Sequence, residues 1–234
     1  MSEMVQKENK MGVMPINKLL FSMSIPMMIS MLVQALYNVV DSIFVAQISE
    51  NALTAVSLAN PVQMLMIAIG AGTGVGVNAL LSRSLGEKNY EKASEVAKNG
   101  IFLSFVCYLV FLCVGLFVVE PFFHAQTADA EIVSYGVDYL SIVCCCSIGI
   151  YAQFIYERIL QATGRTFQTM ITQTVGAIVN LILDPILIFG LFGVPAMGVR
   201  GAAIATVIGQ GVAGITAWLM NIYQNKDVEV AMRG

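Results

Sequence analysis

Charge is scarce in this chain. Only 12% of its 234 residues are Asp, Glu, Lys or Arg, about half the share of an ordinary soluble domain, so a solvated globule with a charged surface is excluded. The net charge of −3 leaves no basic surface for nucleic acid. Histidine occurs once, at His124, with no second ligand nearby, and tryptophan once. The five cysteines are Cys107, Cys113 and the run Cys144-Cys145-Cys146; they lack CxxC or Cys/His spacing, which removes a disulfide framework and a structural zinc site. They read as small apolar packing residues. No small-residue cleavage site follows the first apolar run, which is also too long for a signal-peptide core. No nucleophile–base pair or metal cluster is visible, so the chain does not read as an enzyme, and no organic cofactor is implied.

What is abundant is apolar. Hydrophobic residues make up 57% of the chain and the mean hydropathy is +0.77, the signature of an integral membrane protein. Twenty Gly and fourteen Met suit a helical membrane bundle, where small residues let backbones approach. Charge-free runs long enough to cross a bilayer predict an all-α bundle of six transmembrane helices at about 18–46, 52–82, 95–119, 135–158, 167–190 and 201–223. Residues 1–17 read as an N-terminal tail and 225–234 as the start of a linker. The segment from Arg83 through Ala93 reads as an interfacial helix with helix-spaced ion pairs.

Orientation follows from the basic residues. With the N-terminus inside, the inner segments hold Lys7, Lys10, Lys18, Arg83, Lys88, Lys92, Lys98, Arg158, Arg165, Lys226 and Arg233, and the outer loops hold only Arg200. Eleven of twelve on one side is a strong positive-inside signal. Both termini are expected in the cytoplasm, with the protein multi-pass in the plasma membrane.

Lysine and arginine are also missing from the apolar runs that contain Asp41 and Asp184. A carboxylate inside a bilayer costs a few kcal/mol and marks a cation or proton pathway by default. Around Asp41, the residues Ser30, Gln34, Tyr37 and Asn38 recur at spacings of three and four and fall within an arc of roughly 100°. On the fifth helix Gln173, Asn180 and Asp184 fall within roughly 40°, and the sixth offers Thr206 and Gln210. These faces should converge on one interior. Asp41 lies 23 residues beyond Lys18 and Asp184 lies 19 beyond Arg165, roughly 35 Å and 28 Å of helix, so both acids are expected at comparable height in the outer half. Asn38 and Asn180 add neutral carbonyl oxygens, a set suited to Na⁺ or a proton. Pro185 follows Asp184 and should leave the Leu181 carbonyl unpaired within the helix. Pro26 and Pro61 act alike, and Pro26 and Pro185 are the candidate hinges.

These residues, taken in order, resemble the MATE family of multidrug and toxic compound extrusion transporters. The resemblance rests on Ile25-Pro26, Gln34-x2-Tyr37-Asn38-x2-Asp41-Ser42, Gly72-Thr73-Gly74-Val75-Gly76, Gln161-Ala162-Thr163-Gly164-Arg165-Thr166, Asn180-x3-Asp184-Pro185, and Met197-Gly198-Val199-x-Gly201-Ala202-Ala203-x-Ala205-Thr206. It implies a secondary active antiporter that exports cationic or amphipathic drugs in exchange for H⁺ or Na⁺. It also implies a cation-coupling site at Asp41, Asn180 and Asp184, with Thr206 contributing, and a substrate cavity beside it at Gln34, Tyr37 and Asn38. Gln173 and Gln210 join that cavity by their place on the polar faces. Family members are about twice as long, with two six-helix lobes. This chain therefore reads as the amino-terminal lobe of a twelve-helix MATE-type transporter, expected to pair with a carboxy-terminal lobe or a second copy. Two alternatives stand beside this. One is a flippase for lipid-linked precursors, which would want Arg or Lys in its cavity; the other is a non-transporting half-transporter or assembly protein.

Overall fold

The computed structural model describes residues 10–225 and Val228. The first nine residues, and Lys226 and Arg233 of the expected linker, lie outside the described residues. The described residues form helices α1 (Lys10–Val13), α2 (Ile16–Ala46), α3 (Glu50–Gly86), α4 (Tyr90–Phe117), α5 (Val119–Gln126), α6 (Ala130–Cys145), α7 (Ile148–Ala162), α8 (Thr166–Phe189) and α9 (Val199–Gln224), with a short 3₁₀ turn at Leu191–Gly193. Among the described residues five helices are long and apolar enough to span a membrane, and α6 with α7 makes a sixth, bent span. The fold is an all-helical membrane bundle.

Local sequence explains where the helices begin and end. Ser49 accepts the Ala52 N–H at 3.0 Å to start α3, and Asn89 accepts the Lys92 N–H at 3.0 Å to start α4. Asp129 accepts from Glu131 and Ile132 at α6. Each supplies an acceptor that the first turn lacks. At the end of α8, Gly190 takes φ 75°, the left-handed cap that glycine adopts without a Cβ penalty.

Two expectations change. The segment around Glu87 is a turn rather than an interfacial helix: α3 stops at Gly86, Lys88 sits at φ 56°, and the Asn89 cap starts α4 ahead of position 95. Arg83 still pairs with Glu87 at 2.9 Å, within the last turn of α3 and its cap, and its guanidinium holds the Glu87 carboxyl below its ordinary range. The expected fourth helix, 135–158, is two helices that meet at an angle of 46°. The break falls on Cys146 and Ser147, residue types with weak helix preference. Helices α2, α3 and α8 run through Pro26, Pro61 and Pro185 without interruption.

The core is aromatic and aliphatic under α3, α4, α6 and α7, with Met66, Phe111, Leu140 and Tyr151 fully buried. The outer faces, such as Phe102, Leu116 and Phe117 of α4, stay exposed and apolar, as a lipid-facing surface must be. Helix α9 packs against α7 on one side and α8 on the other. The α8–α9 approach is backbone-close: a Cβ on Gly209 would stand 2.8 Å from the Gly176 carbonyl oxygen and 2.9 Å from Asn180 Cβ. That spacing is what lets Asn180 on α8 reach Thr206 on α9, and it requires glycine at 209. Gly209→Ala is therefore expected to lower the stability of the detergent-solubilised chain by about 1–3 kcal/mol, read as a fall in the thermal unfolding midpoint. An unchanged midpoint would mean that the two helices do not need this contact.

A candidate cation site and its cavity

The polar faces read from the sequence do converge. Helices α2, α3, α6, α7, α8 and α9 enclose a cavity of about 570 Å³ whose wall includes Gln34, Tyr37, Asn38 and Asp41 from α2. Gln173 and Asn180 from α8, and Thr206 and Gln210 from α9, line the same space. Asp184 stands just behind the wall, 1% exposed. Pro26 and Pro185 lie within α2 and α8 outside the lining. No Lys or Arg lines the cavity.

The two acids meet although they stand 143 positions apart in the chain. The Asp41 and Asp184 carboxylates come within hydrogen-bonding reach of one another. Ionised carboxylates have acceptors only, so this contact is favourable only with a proton or a cation between the oxygens. One buried oxygen on each, Oδ1 of Asp41 and Oδ1 of Asp184, has no protein donor. Both oxygens are buried acceptors that no protein N–H or O–H satisfies.

The neighbours fix the other oxygen. The Asn180 amide takes the orientation in which Nδ2 donates to Asp184 Oδ2 at 2.9 Å and its oxygen accepts the Thr206 N–H at 3.0 Å. The Thr206 hydroxyl donates back to the Ala202 carbonyl at 3.0 Å. Asn180 therefore clamps Asp184 to the α9 backbone and holds α8 and α9 in register at the level of the acids. Thr206 presents its hydroxyl oxygen toward Tyr37 and Tyr139. Gln63 donates to the Tyr139 hydroxyl at 3.1 Å, so α3 and α6 reach the same cluster.

Several members of this constellation were not singled out in the sequence. Tyr139 and Gln63 belong to stretches with no polar periodicity, and nothing local marks them. Gln153 and Glu157 escaped because Glu157 precedes Arg158 and so reads as part of the inner, charged end of a span. In the structure Glu157 is 3% exposed. The single His124 is exposed, and among the described residues no cluster of His, Cys, Asp and Glu could hold a metal ion by the usual ligand grouping. The Asp41–Asp184 pair presents hard oxygen acceptors only, the donor chemistry that light cations and protons favour.

The Asn180 clamp predicts an asymmetric thermodynamic response. Asn180→Leu leaves buried Asp184 Oδ2 without its donor and is expected to cost about 1–3 kcal/mol. Combined with Asp184→Leu, where both partners become apolar, much of that loss should return. Thermal unfolding of the three variants in detergent checks this; a double variant no more stable than Asn180→Leu would count against the clamp.

Residues 26–186 match the family described as MatE. The chain is 31% identical over 193 residues to a protein named FAD transporter from Shewanella oneidensis, covering 82% of this chain and 43% of that protein. It is 32% identical over 199 residues to a multidrug export protein, MepA, from Staphylococcus haemolyticus, covering 85% and 43%. A solved outward-facing multidrug resistance MATE transporter of the MOP superfamily superposes with a TM-score of 0.85 at 31% identity, over 92% of this chain and 47% of that one. The chain thus spans about half the length of the relatives it matches.

Proposed function

The chain belongs to the MatE family, and on that footing we propose that it is the ion-coupling lobe of an exporter for cationic, amphipathic small molecules. The observation that carries this reading is the contact between Asp41 and Asp184 at the wall of the cavity, each with an unpartnered buried oxygen. H⁺ or Na⁺ taken up from outside would bridge or neutralise the pair, with Asn180 and Thr206 holding Asp184 in place and Tyr37 beside them. Loss of that negative charge removes the attraction for a cationic cargo in the adjoining cavity. Uptake of the ion and release of the cargo to the outside are then coupled by competition for the same charge.

The wall chemistry supports a cationic cargo. Amides, hydroxyls and one carboxylate face the cavity together with Met64, Met66 and Phe154, and no basic side chain does. An anionic cargo such as FAD, or a lipid-linked pyrophosphate, would need positive groups that this wall lacks. Pairing with a second six-helix lobe is supported by α2: only 6% of its apolar stretch is buried within the chain, although this helix carries Asp41. The relatives are about twice as long, which leaves room for such a lobe in the same polypeptide. We further infer that both termini face the cytoplasm at the plasma membrane, on the strength of the basic-residue count, and that α2 and α8 flex at Pro26 and Pro185.

The test is ethidium efflux from proteoliposomes under an imposed H⁺ or Na⁺ gradient, with this chain reconstituted beside a complementary six-helix lobe. Asp41→Asn and Asp184→Asn should each abolish gradient-driven efflux while inserting normally. Efflux at the unsubstituted rate in both variants would refute coupling through this pair.

A further inference from the structure

The cavity's inner end has a polarity that its lining residues do not set by themselves. Gln153 on α7 and Gln173 on α8 both line it. A glutamine amide can turn either its carbonyl oxygen or its NH₂ group to an open space, so its effect on a passing cation depends on which way it is held. Here both are held the same way. Gln153 donates through Nε2 to Glu157 Oε1 at 3.0 Å, and Gln173 donates through Nε2 to Glu157 Oε2 at 2.8 Å. Thr172 donates to Glu157 Oε1 at 2.9 Å from the protein side.

Glu157 itself does not line the cavity. It is 3% exposed, tucked behind the two glutamines between α7 and α8. The adjacent Arg158 directs its guanidinium to Gln161 Oε1 at 2.7 Å. An ionised carboxylate accepts only, so with donors from both amides at its two oxygens it forces both NH₂ groups inward. The two carbonyl oxygens are the polar atoms left for the cavity. Gln173 lies eleven residues before Asp184 on α8, about 16 Å along the helix, so this acceptor pair sits well inward of the Asp41–Asp184 site.

From this network we propose that Glu157 is a positioning residue that fixes the carbonyl oxygens of Gln153 and Gln173 toward the cavity, making its inner end a subsite for the N–H-bearing head of an organic cation. This rests on the export reading only for its choice of cargo, and it adds the chemistry of the cargo's head. The subsite selects by hydrogen-bond polarity: a cation with N–H donors finds two acceptors, and a neutral apolar molecule of similar size gains nothing from them. The buried charge acts through the amides and does not itself touch the cargo.

Glu157→Gln is the discriminating variant because it keeps shape and length. A glutamine at 157 offers one acceptor and one NH₂ group, so one of the two facing amides must turn over to give it a carbonyl. That amide then shows NH₂ to the cavity in place of an acceptor. Binding of ethidium, an amphipathic cation with N–H donors, to the purified chain in detergent is expected to weaken about tenfold. Binding of uncharged Nile red should be unchanged. Gln153→Met and Gln173→Met, each removing one carbonyl at nearly constant length, should reproduce part of the ethidium loss and spare Nile red. Unsubstituted-like ethidium binding in Glu157→Gln would overturn the proposal, as would equal loss of both dyes, which marks a packing role. The two readings fail separately. Efflux that survives Asp41→Asn removes ion coupling and leaves the subsite standing, whereas normal ethidium affinity in Glu157→Gln removes the subsite and leaves coupling standing.

Discussion

Two carboxylates pressed together in an apolar bundle, with no lysine or arginine lining the space beside them, constrain most of what surrounds them. Each costs a few kcal/mol to place inside a bilayer, and their mutual contact adds repulsion unless a proton or cation sits between them. The surroundings answer that demand in layers. Asn180 satisfies one oxygen of Asp184 and ties it to the Thr206 backbone. Gly176 and Gly209 let α8 and α9 come close enough for that tie to form. Tyr37, Tyr139 and Gln63 crowd the same point from α2, α6 and α3. One oxygen on each acid is left over, buried and without a protein donor.

The bilayer acts on the same bundle from outside. Because lipid offers no hydrogen bonds, the polar residues gather on the cavity side and the outer faces remain bare and apolar. Small residues rather than interlocking large ones set the tightest helix contacts, at Gly149 against Gly211 and at Gly201 against the α8 backbone. A buried glutamate behind the wall follows the same rule as the aspartates. Its carboxyl group is satisfied in the bundle by the Gln153 and Gln173 amides, one at each oxygen.

Much of this was legible in the linear chain, and the part that was not has a definite physical cause. Membrane spans are visible because a bilayer needs a fixed length of apolar helix, so α2, α3, α4, α8 and α9 declare themselves by composition. Asp41 and Asp184 stand out because a charge in such a run is expensive, and Gln34, Asn38, Gln173 and Asn180 share their faces by helical periodicity. Glu157 was hidden because an acid next to an arginine at a span's inner end looks like ordinary interfacial charge. Tyr139 was hidden because one tyrosine in an apolar stretch has no periodic partner. The bend between α6 and α7 was hidden because no proline marks it and Gly149, two residues past the break, reads like the chain's other small packing residues.

The chain by itself determined that this is a helical membrane protein and which residues on each helix are too polar for lipid. Those are properties of single segments, fixed by hydropathy and by the turn of one helix. Only the tertiary structure decided which polar faces meet: that Asp41 touches Asp184 and that Asn180 turns its amide toward Thr206. It also decided that Glu157 reaches across to Gln153 and Gln173. These depend on distances between helices, and such distances are set by the glycine contacts and the packing of the assembled bundle, which no single segment contains.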